Sequence, residues 1–203
     1  MFKIRQSHKL IYLFCNDSLS AIYCATVKDR LYCDPPQSER RVRTQRTMAK
    51  ILLTLCELLS PILPHTSEEA FSSFTETDNS ATFHSSEVDG FKSPGGHPNW
   101  ELVIKQRETV LKALEEAKAT GLENPLDCEV VLENDLEFKL SPFKEELVDL
   151  FGVSRVTFGN KPEIKDLRNE PRCERSWKRD ETVKKRSNNA WLSDRDAHAI
   201  GLD

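Results

Sequence analysis

Residues 127–135, "DCEVVLEND", decide the fold class because they break the helical pattern of the preceding chain. Their polar and apolar side chains alternate in the manner of a strand. Residues 136–140, "LEFKL", show the same alternation, and residues 153–159, "VSRVTFG", favour a further strand. The chain is therefore predicted to contain a small sheet in a mainly helical protein, which is an α+β fold.

Helices are predicted on both sides of these strands. Residues 141–152, "SPFKEELVDLFG", place Ser141 as N-cap and a proline in the first turn, a common start of a helix. A longer helix is predicted from residue 100 to residue 119, because this segment is rich in strong helix formers and a glycine follows it. Together with the strands, these helices predict a small α+β subdomain over residues 100–160.

Two helices separated by a break are predicted near the start of the chain. The first begins after Asp17 or Ser18 as N-cap, where apolar residues recur at helical spacing. Residues 34–41, "DPPQSERR", end it because proline removes an amide donor and disfavours the helical conformation of the residue before it. The second runs from about residue 39 to residue 59, with an apolar stripe and strongly basic early turns.

A third helix and a connecting segment follow. Thr66 and Glu69 have the spacing of a capping box, which predicts a helix start. Residues 1–75 are thus predicted to be an all-helical bundle. Residues 76–99 are rich in Ser, Thr, Gly, Pro and Asn without periodicity, which predicts a linker loop.

The last segment, residues 161–203, is polar and basic. It has too few apolar residues for us to expect a core of its own, with Trp177 and Trp191 as the large exceptions. We therefore treat it as a basic tail attached to the α+β subdomain.

Charge is segregated along the 203 residues although the net charge is only −4. Residues 28–50 hold seven basic and three acidic side chains, residues 101–151 hold six basic and thirteen acidic, and residues 155–186 hold eleven basic and six acidic. Two basic blocks favour a polyanionic partner, because Lys and Arg neutralise phosphates and release condensed counterions. The alternative is that both blocks are solvated helix faces.

Several classes of protein find no support in the sequence. No apolar run approaches the roughly 20 residues that span a bilayer, and no signal-peptide cleavage site follows the first residues, so we expect a cytoplasmic protein without a membrane partner. The six cysteines never form a CxxC pair, which favours buried thiols. No phosphate-binding glycine loop is present, and no catalytic constellation can be identified.

Three motifs carry a family resemblance: "DSLSAIY" at residues 17–23, "KDRLYCDPPQSERR" at 28–41 and "LLSPILPHTSEEAF" at 58–71. Together they resemble the anticodon-binding helical domain of isoleucyl-tRNA synthetases, which are class I ligases. The last motif is shared with the valyl and leucyl relatives, whereas "KDRLYCDPP" is more typical of the isoleucyl branch. The resemblance continues through "VLKALEEAK", "GLENPLDCEVVL", "ELVDLFGVSRV" and "CERSWKRD".

The resemblance also implies a zinc knuckle, which many bacterial members of the family build from two CxxC pairs. Cys173 is present here, but Ser176 stands where the second thiolate would be, and Ser193 and Asp196 stand at the other pair. One thiolate, two hydroxyls and one carboxylate are a poor zinc set. We therefore expect a degenerate knuckle without zinc or any other cofactor, in which Ser193 and Asp196 cap a short helix instead.

The resemblance implies that the partner is tRNA and that basic residues bind its anticodon stem and loop. The expected RNA-binding residues are Lys28, Arg30, Arg40, Arg41, Arg43, Trp177, Lys178 and Arg179. Trp177 is expected to stack on an unpaired base, whereas Trp191 is expected to pack. The family's "HIGH" and "KMSKS" signatures for ATP are absent, so the chain is not expected to aminoacylate alone.

Two other functions are open at this point: a free-standing protein that binds RNA or a synthetase, and a structural fragment without a function of its own. Residues 9–15, "KLIYLFC", place more apolar surface on one helix than a narrow stripe can bury. Since the bundle is expected to lack its preceding helices, we expect self-association through this face or a disordered first segment. The competing expectation is that these residues fold back onto the second helix.

Overall fold

The computed structural model describes residues 4–75 and 95–202 of the chain. The chain forms two compact units: residues 1–38 with 97–203, here called the body, and residues 39–96, here called the helical pair. Residues 76–94, which make up most of the predicted linker, lie outside the described residues. The α+β fold class is confirmed, since helices predominate and a small sheet lies in the body.

One continuous helical segment begins the body. It comprises α1 (Ile4–Leu13), a π-helical stretch (Phe14–Cys24) and α2 (Ala25–Tyr32). The predicted helix start at Asp17 or Ser18 is wrong, because the backbone is already helical before it, with φ −61° and ψ −43° at Leu13. A polar side chain caps a helix only where the preceding backbone leaves amides free.

This segment combines unusual length with an apolar composition. From Arg5 to Tyr32 it is long and apolar enough, by length and composition alone, to cross a membrane. That finding contradicts the expectation that no run of the sequence approaches a membrane span. Only 6% of its most apolar stretch is buried, so the described residues leave most of the apolar surface of this helix uncovered.

The sheet of the body has three strands in the order β2-β1-β3: β1 (Cys128–Glu133), β2 (Arg155–Gly159) and β3 (Glu163–Asp166). The central strand β1 pairs in parallel with β2 and antiparallel with β3. A parallel pair needs a crossover, which α7 (Lys144–Phe151) provides. The third strand comes from residues that the sequence assigned to the tail.

The predicted strand at residues 136–140 is wrong. This segment is helical, with α6 (Glu137–Leu140) lying between short 3₁₀ turns at Asn134–Leu136 and Ser141–Phe143. Alternation over so few residues also fits a helix that buries only one side, and here Leu140 is buried whereas Phe138 is 90% exposed.

The core of the body lies between the sheet, α7 and α5 (Trp100–Lys118). Its fully buried side chains include Val103, Val130, Leu140, Leu147 and Val153. The bounds of α5 confirm the prediction for residues 100–119, and the adjacent Gly121 has φ +88°. Beside the core, β1 and β2 approach so closely that a Cβ on Gly159 would lie 2.8 Å from Val131 Cγ1.

The helical pair consists of α3 (Glu39–Leu59) and α4 (Pro64–Thr75), which contact each other. The predicted bounds of α3 are confirmed. The capping box at Thr66 is wrong, because α4 begins two residues earlier with a proline at its first position, where no amide donor is needed.

Residues 171–202, here called the knuckle segment, contain a two-stranded hairpin, β4 (Lys184–Lys185) and β5 (Trp191–Leu192), followed by α8 (Asp194–Ala199). Contrary to expectation, the segment has a small core of its own. Its buried apolar members are Cys173, Val183, Leu192 and Ala197. The predicted N-cap is confirmed, since the Ser193 side chain accepts a hydrogen bond from the Asp196 amide.

Candidate nucleic-acid interface

A tight turn at residues 173–178, here called the knuckle turn, presents the exposed tryptophan of the knuckle segment. The Trp177 amide donates to the Cys173 carbonyl at 2.9 Å, and the Cys173 amide donates to the Lys178 carbonyl at 2.9 Å. The residues that flank the turn pair through an antiparallel bridge. Trp177 has φ +65°, a left-handed conformation that is uncommon outside glycine and costs conformational energy. The surrounding hydrogen bonds hold it there.

The carboxylate of Asp196 lies at the centre of the knuckle segment and is fully buried. Its Oδ2 accepts hydrogen bonds from Cys173 Sγ at 2.9 Å, Ser176 Oγ at 2.5 Å and Ser193 Oγ at 3.1 Å. Its Oδ1 accepts one from the Arg195 guanidinium at 3.0 Å. The structure thus brings together the four positions assigned from sequence to the degenerate knuckle.

A series of alternating charges joins the knuckle segment to α2 and α7. Arg195 pairs with Asp29 of α2 at 2.6 Å, and the Lys178 ammonium contacts the same carboxylate at 3.1 Å. Lys178 also contacts Asp149 of α7 at 3.0 Å, and Asp149 lies 3.4 Å from the Arg30 guanidinium. The whole series, here called the ion chain, is Asp196, Arg195, Asp29, Lys178, Asp149 and Arg30.

Asp29 and Arg195 of the ion chain keep their charges at neutral pH. Burial raises the pKa of the Asp29 carboxyl, but hydrogen bonds and charges from Arg195 and Lys178 outweigh it and hold that pKa well below its usual range. Burial lowers the pKa of the Arg195 guanidinium. Hydrogen bonds and charges from Asp29 and Asp196 outweigh this effect and raise that pKa above its usual value. Burial and the same two carboxylates raise the pKa of the neighbouring Cys33 thiol to about 11, so this thiol is protonated and a weak nucleophile.

Two exposed aromatic rings and three cations lie on the outer side of this region. Trp177 is 59% exposed, and the Arg172 guanidinium lies 5.2 Å from the centroid of its ring. Tyr32, at the end of α2, is 74% exposed, and its carbonyl accepts a hydrogen bond from Arg175 at 2.6 Å. Lys28 is exposed one turn earlier on α2. These five residues are here called the aromatic-basic surface.

A cavity of about 340 Å³ opens between α2, α7 and the knuckle turn. Lys28, Tyr32 and Arg175 line it, together with the paired charges of Asp149 and Lys178. Its volume lies in the range of small-molecule sites, so it can receive a group of the size of a nucleobase.

Three of the cations predicted to contact RNA form ion pairs inside the body. Arg30 is buried against Asp149, and Lys178 bridges two carboxylates of the ion chain. The Arg179 Nε atom donates to Asp127 at 2.7 Å, with little of the arginine side chain exposed. Their charges are paired with carboxylates inside the body. Of the cations of the body that were predicted to contact RNA, Lys28 is the exposed one.

The other predicted cations lie in the helical pair. Arg40, Arg41 and Arg43 occupy the first turns of α3, where Arg43 is exposed and the other two are half-buried. They form a basic helix start within the helical pair.

Comparison with known proteins assigns the chain to a family. A family model described as the anticodon-binding domain of tRNA ligase matches residues 1–132. The chain belongs to this family. The anticodon-binding domain therefore includes α2 with Lys28, Asp29 and Tyr32, and the knuckle segment follows it.

Curated relatives of this chain include several isoleucine-tRNA ligases. The enzyme of Petrotoga mobilis is 32% identical over 197 residues, which cover 88% of this chain and 21% of the relative. The enzyme of Kosmotoga olearia is 34% identical over 196 residues, with 87% and 21% covered, and that of Limosilactobacillus reuteri is 34% identical over 157 residues, with 74% and 17% covered. The chain thus spans about a fifth of the length of these relatives.

Sequence reasoning missed Tyr32, Arg175 and Asp29. Arg175 stands between Cys173 and Trp177 in the quoted motif and could have been included with them. The roles of Tyr32 and Asp29 depend on the docking of α2 against residues more than a hundred positions away, for which no local pattern exists.

Replacing Asp29 by Asn should destabilise the chain by about 1–3 kcal/mol at pH 7, because Lys178 and Arg195 then lose their shared counter-charge in a partly buried site. The folded-state pKa of Asp29 is lowered, so its contribution is fully present above the unfolded value of about 3.9 and is lost as the pH falls below it. The difference in unfolding free energy between wild type and Asp29→Asn should therefore shrink below about pH 4. Urea unfolding across this pH range measures it.

Asp135→Asn is the matched control for this prediction, since Asp135 is an exposed carboxylate of the same unit. It should leave the unfolding free energy nearly unchanged at neutral pH. A difference for Asp29→Asn that stays constant down to pH 2, or an equal loss in the control, would contradict the role given to the ion chain.

Proposed function

We propose that this chain binds the anticodon arm of a tRNA through the aromatic-basic surface, with Trp177 stacking on an unpaired base. One observation carries the proposal: a member of the anticodon-binding family holds a largely exposed tryptophan ring in a hydrogen-bonded turn with left-handed backbone, and the Arg172 guanidinium lies against this ring. Anticodon loops expose unpaired bases, and stacking on an aromatic ring recognises their faces. The neighbouring Lys28 and Arg175 supply positive charge for the phosphate backbone of the RNA, and Tyr32 supplies a second aromatic ring.

A second contact is proposed for the start of α3. Arg40, Arg41 and Arg43 lie within its first two turns, close enough in sequence to contact consecutive phosphates. Phosphate contacts of this kind position an RNA without reading its sequence, and they make the affinity depend strongly on salt.

In the context of its relatives, the chain is proposed to be the tRNA-binding portion of an isoleucine-tRNA ligase. The matches cover nearly all of this chain but about a fifth of each Petrotoga or Kosmotoga enzyme. The remainder of the ligase is the proposed partner that supplies ATP-dependent aminoacylation, and this chain alone is proposed to be inactive. The proposed site of action is the cytoplasm.

Binding to an isoleucine tRNA transcript should be measurable at low salt and should weaken steeply as salt is raised. Each neutralised phosphate steepens the logarithmic salt dependence of the affinity by roughly 0.7–0.9. A transcript in which a tightly closed loop without unpaired anticodon bases replaces the anticodon loop is the RNA control, because phosphate contacts to the stem are unchanged in it. Absence of binding at low salt, or equal affinity for both transcripts, would contradict the proposal.

Trp177→Ala should weaken binding by about 5- to 140-fold, which corresponds to the roughly 1–3 kcal/mol of a stacked base, without lowering the melting temperature. Trp191→Ala is the matched control, since Trp191 is a half-exposed tryptophan of the same knuckle segment. It should leave affinity unchanged. Unchanged affinity in Trp177→Ala, or a loss that follows a lowered melting temperature, would show that the ring packs rather than stacks.

Self-association is proposed for the uncovered face of the first helical segment. Leu10 is 68% exposed, and Leu13 and Phe14 lie beside it at helical spacing and are also exposed. Burying a Leu or Phe side chain contributes about 1.5–3 kcal/mol, so a second copy of this helix is a sufficient partner.

The mass measured by light scattering should rise with concentration for the wild type and stay that of a monomer for a variant carrying Leu10→Ser and Phe14→Ser. Both serines replace exposed side chains, so the melting temperature should change little. A monodisperse monomer of the wild type at all concentrations would contradict self-association. Co-flotation with neutral lipid vesicles would instead assign the helix to a membrane.

A further inference from the structure

We propose that the buried Asp196 carboxylate organises this knuckle in place of zinc, so that the knuckle segment folds without metal. The inference concerns how the segment is held together and does not depend on RNA binding. Its basis is the convergence of Cys173, Ser176 and Ser193 on one carboxylate oxygen, at the positions where the resembled knuckle has its metal ligands.

The side chains at these positions do not fit zinc. Structural zinc sites are closed by four sulfur or imidazole ligands, and the thiols must be deprotonated. Here only Cys173 offers sulfur, and Ser176 and Ser193 carry neutral hydroxyls that do not readily ionise. Within residues 4–75 and 95–202, no group of three His, Cys, Asp or Glu side chains is arranged to hold a metal ion.

The same side chains fit a buried carboxylate well. A carboxylate needs donors, and the thiol and both hydroxyls donate to Oδ2 while Arg195 donates to Oδ1. A buried anion without such partners would be strongly destabilising, whereas charge-assisted hydrogen bonds compensate its desolvation. The exchange is therefore complementary: a metal cation surrounded by anionic ligands is replaced by an anion surrounded by neutral donors and one cation.

The carboxylate also makes the connection that a metal would make. Cys173 and Ser176 belong to the knuckle turn, whereas Ser193 and Asp196 belong to the first turn of α8. The bonds to Asp196 join these two parts across the small core of the segment. Ser193 in turn accepts from the Asp196 amide, which caps the helix that carries the carboxylate.

Wild-type protein purified without a histidine tag tests the proposal directly. We expect well under one zinc per chain by elemental analysis, and a melting temperature that a strong zinc chelator leaves unchanged. Stoichiometric zinc, or a melting temperature lowered by the chelator, would overturn the proposal.

Asp196→Asn tests the carboxylate itself, because the amide keeps the shape but removes the charge and turns a donor towards either the hydroxyls or the Arg195 guanidinium. The melting temperature should fall by about 5–10 °C. Glu174→Gln is the matched control, since it removes an exposed carboxylate from the same turn and should change the melting temperature little. Equal melting temperatures for wild type and Asp196→Asn would overturn the proposal.

A third variant asks whether the carboxylate occupies the place of a metal. Ser176→Cys, Ser193→Cys and Asp196→Cys together surround Cys173 with three further thiols, and titration with Co²⁺ should give one tetrahedral thiolate complex per chain. This measurement needs only metal-bound protein and so does not depend on the stability of the variant without metal. Absence of a tetrahedral complex would show that these positions do not have the geometry of a metal site. It would overturn the proposal that the carboxylate takes the place of a metal.

Discussion

The ion chain from Asp196 to Arg30 is the constraint on which the placement of the knuckle segment depends. Apart from Arg195, whose side chain is 37% exposed, its charges lie where water reaches them poorly, so each is stable only beside its opposite. Asp29 and Asp149 would repel each other without Lys178 between them. Because α2, α7 and the knuckle segment each contribute members, the charges are satisfied only when these three parts are docked together.

Docking of this kind determines which side chains face outwards. Lys178 points inwards to two carboxylates, so Trp177, its neighbour in the turn, projects into solvent. Arg195 anchors α8 to α2 through Asp29, and the same contact places the knuckle turn beside Tyr32. The basic residues of this region therefore divide into a structural group that holds the surface together and an exposed group that can meet a polyanion. Net charge alone does not distinguish them.

The parts of this fold that could be predicted from sequence are those determined by residues close together in the chain. The bounds of α3 and α5 follow from uninterrupted helical patterns, and Ser193 was identified as an N-cap because capping involves residues within one turn. Residues 136–140 were wrongly predicted to be a strand, because Leu136 and Leu140 share a face in a helix as well as in a strand. The ion pairs of Lys178 and Arg30 could not be predicted from sequence, because their counter-ions lie 29 to 149 residues away, beyond the reach of any local pattern.

Amide hydrogen exchange in Lys178→Met tests the docking of the knuckle segment most directly, because this change removes a cation that contacts both Asp29 and Asp149. The account predicts that the amides of Cys173, Trp177 and Ala197 exchange about 10- to 100-fold faster, whereas the amides of strand β1 keep their protection. Unchanged exchange at these three amides, or an equal acceleration throughout the sheet, would contradict it.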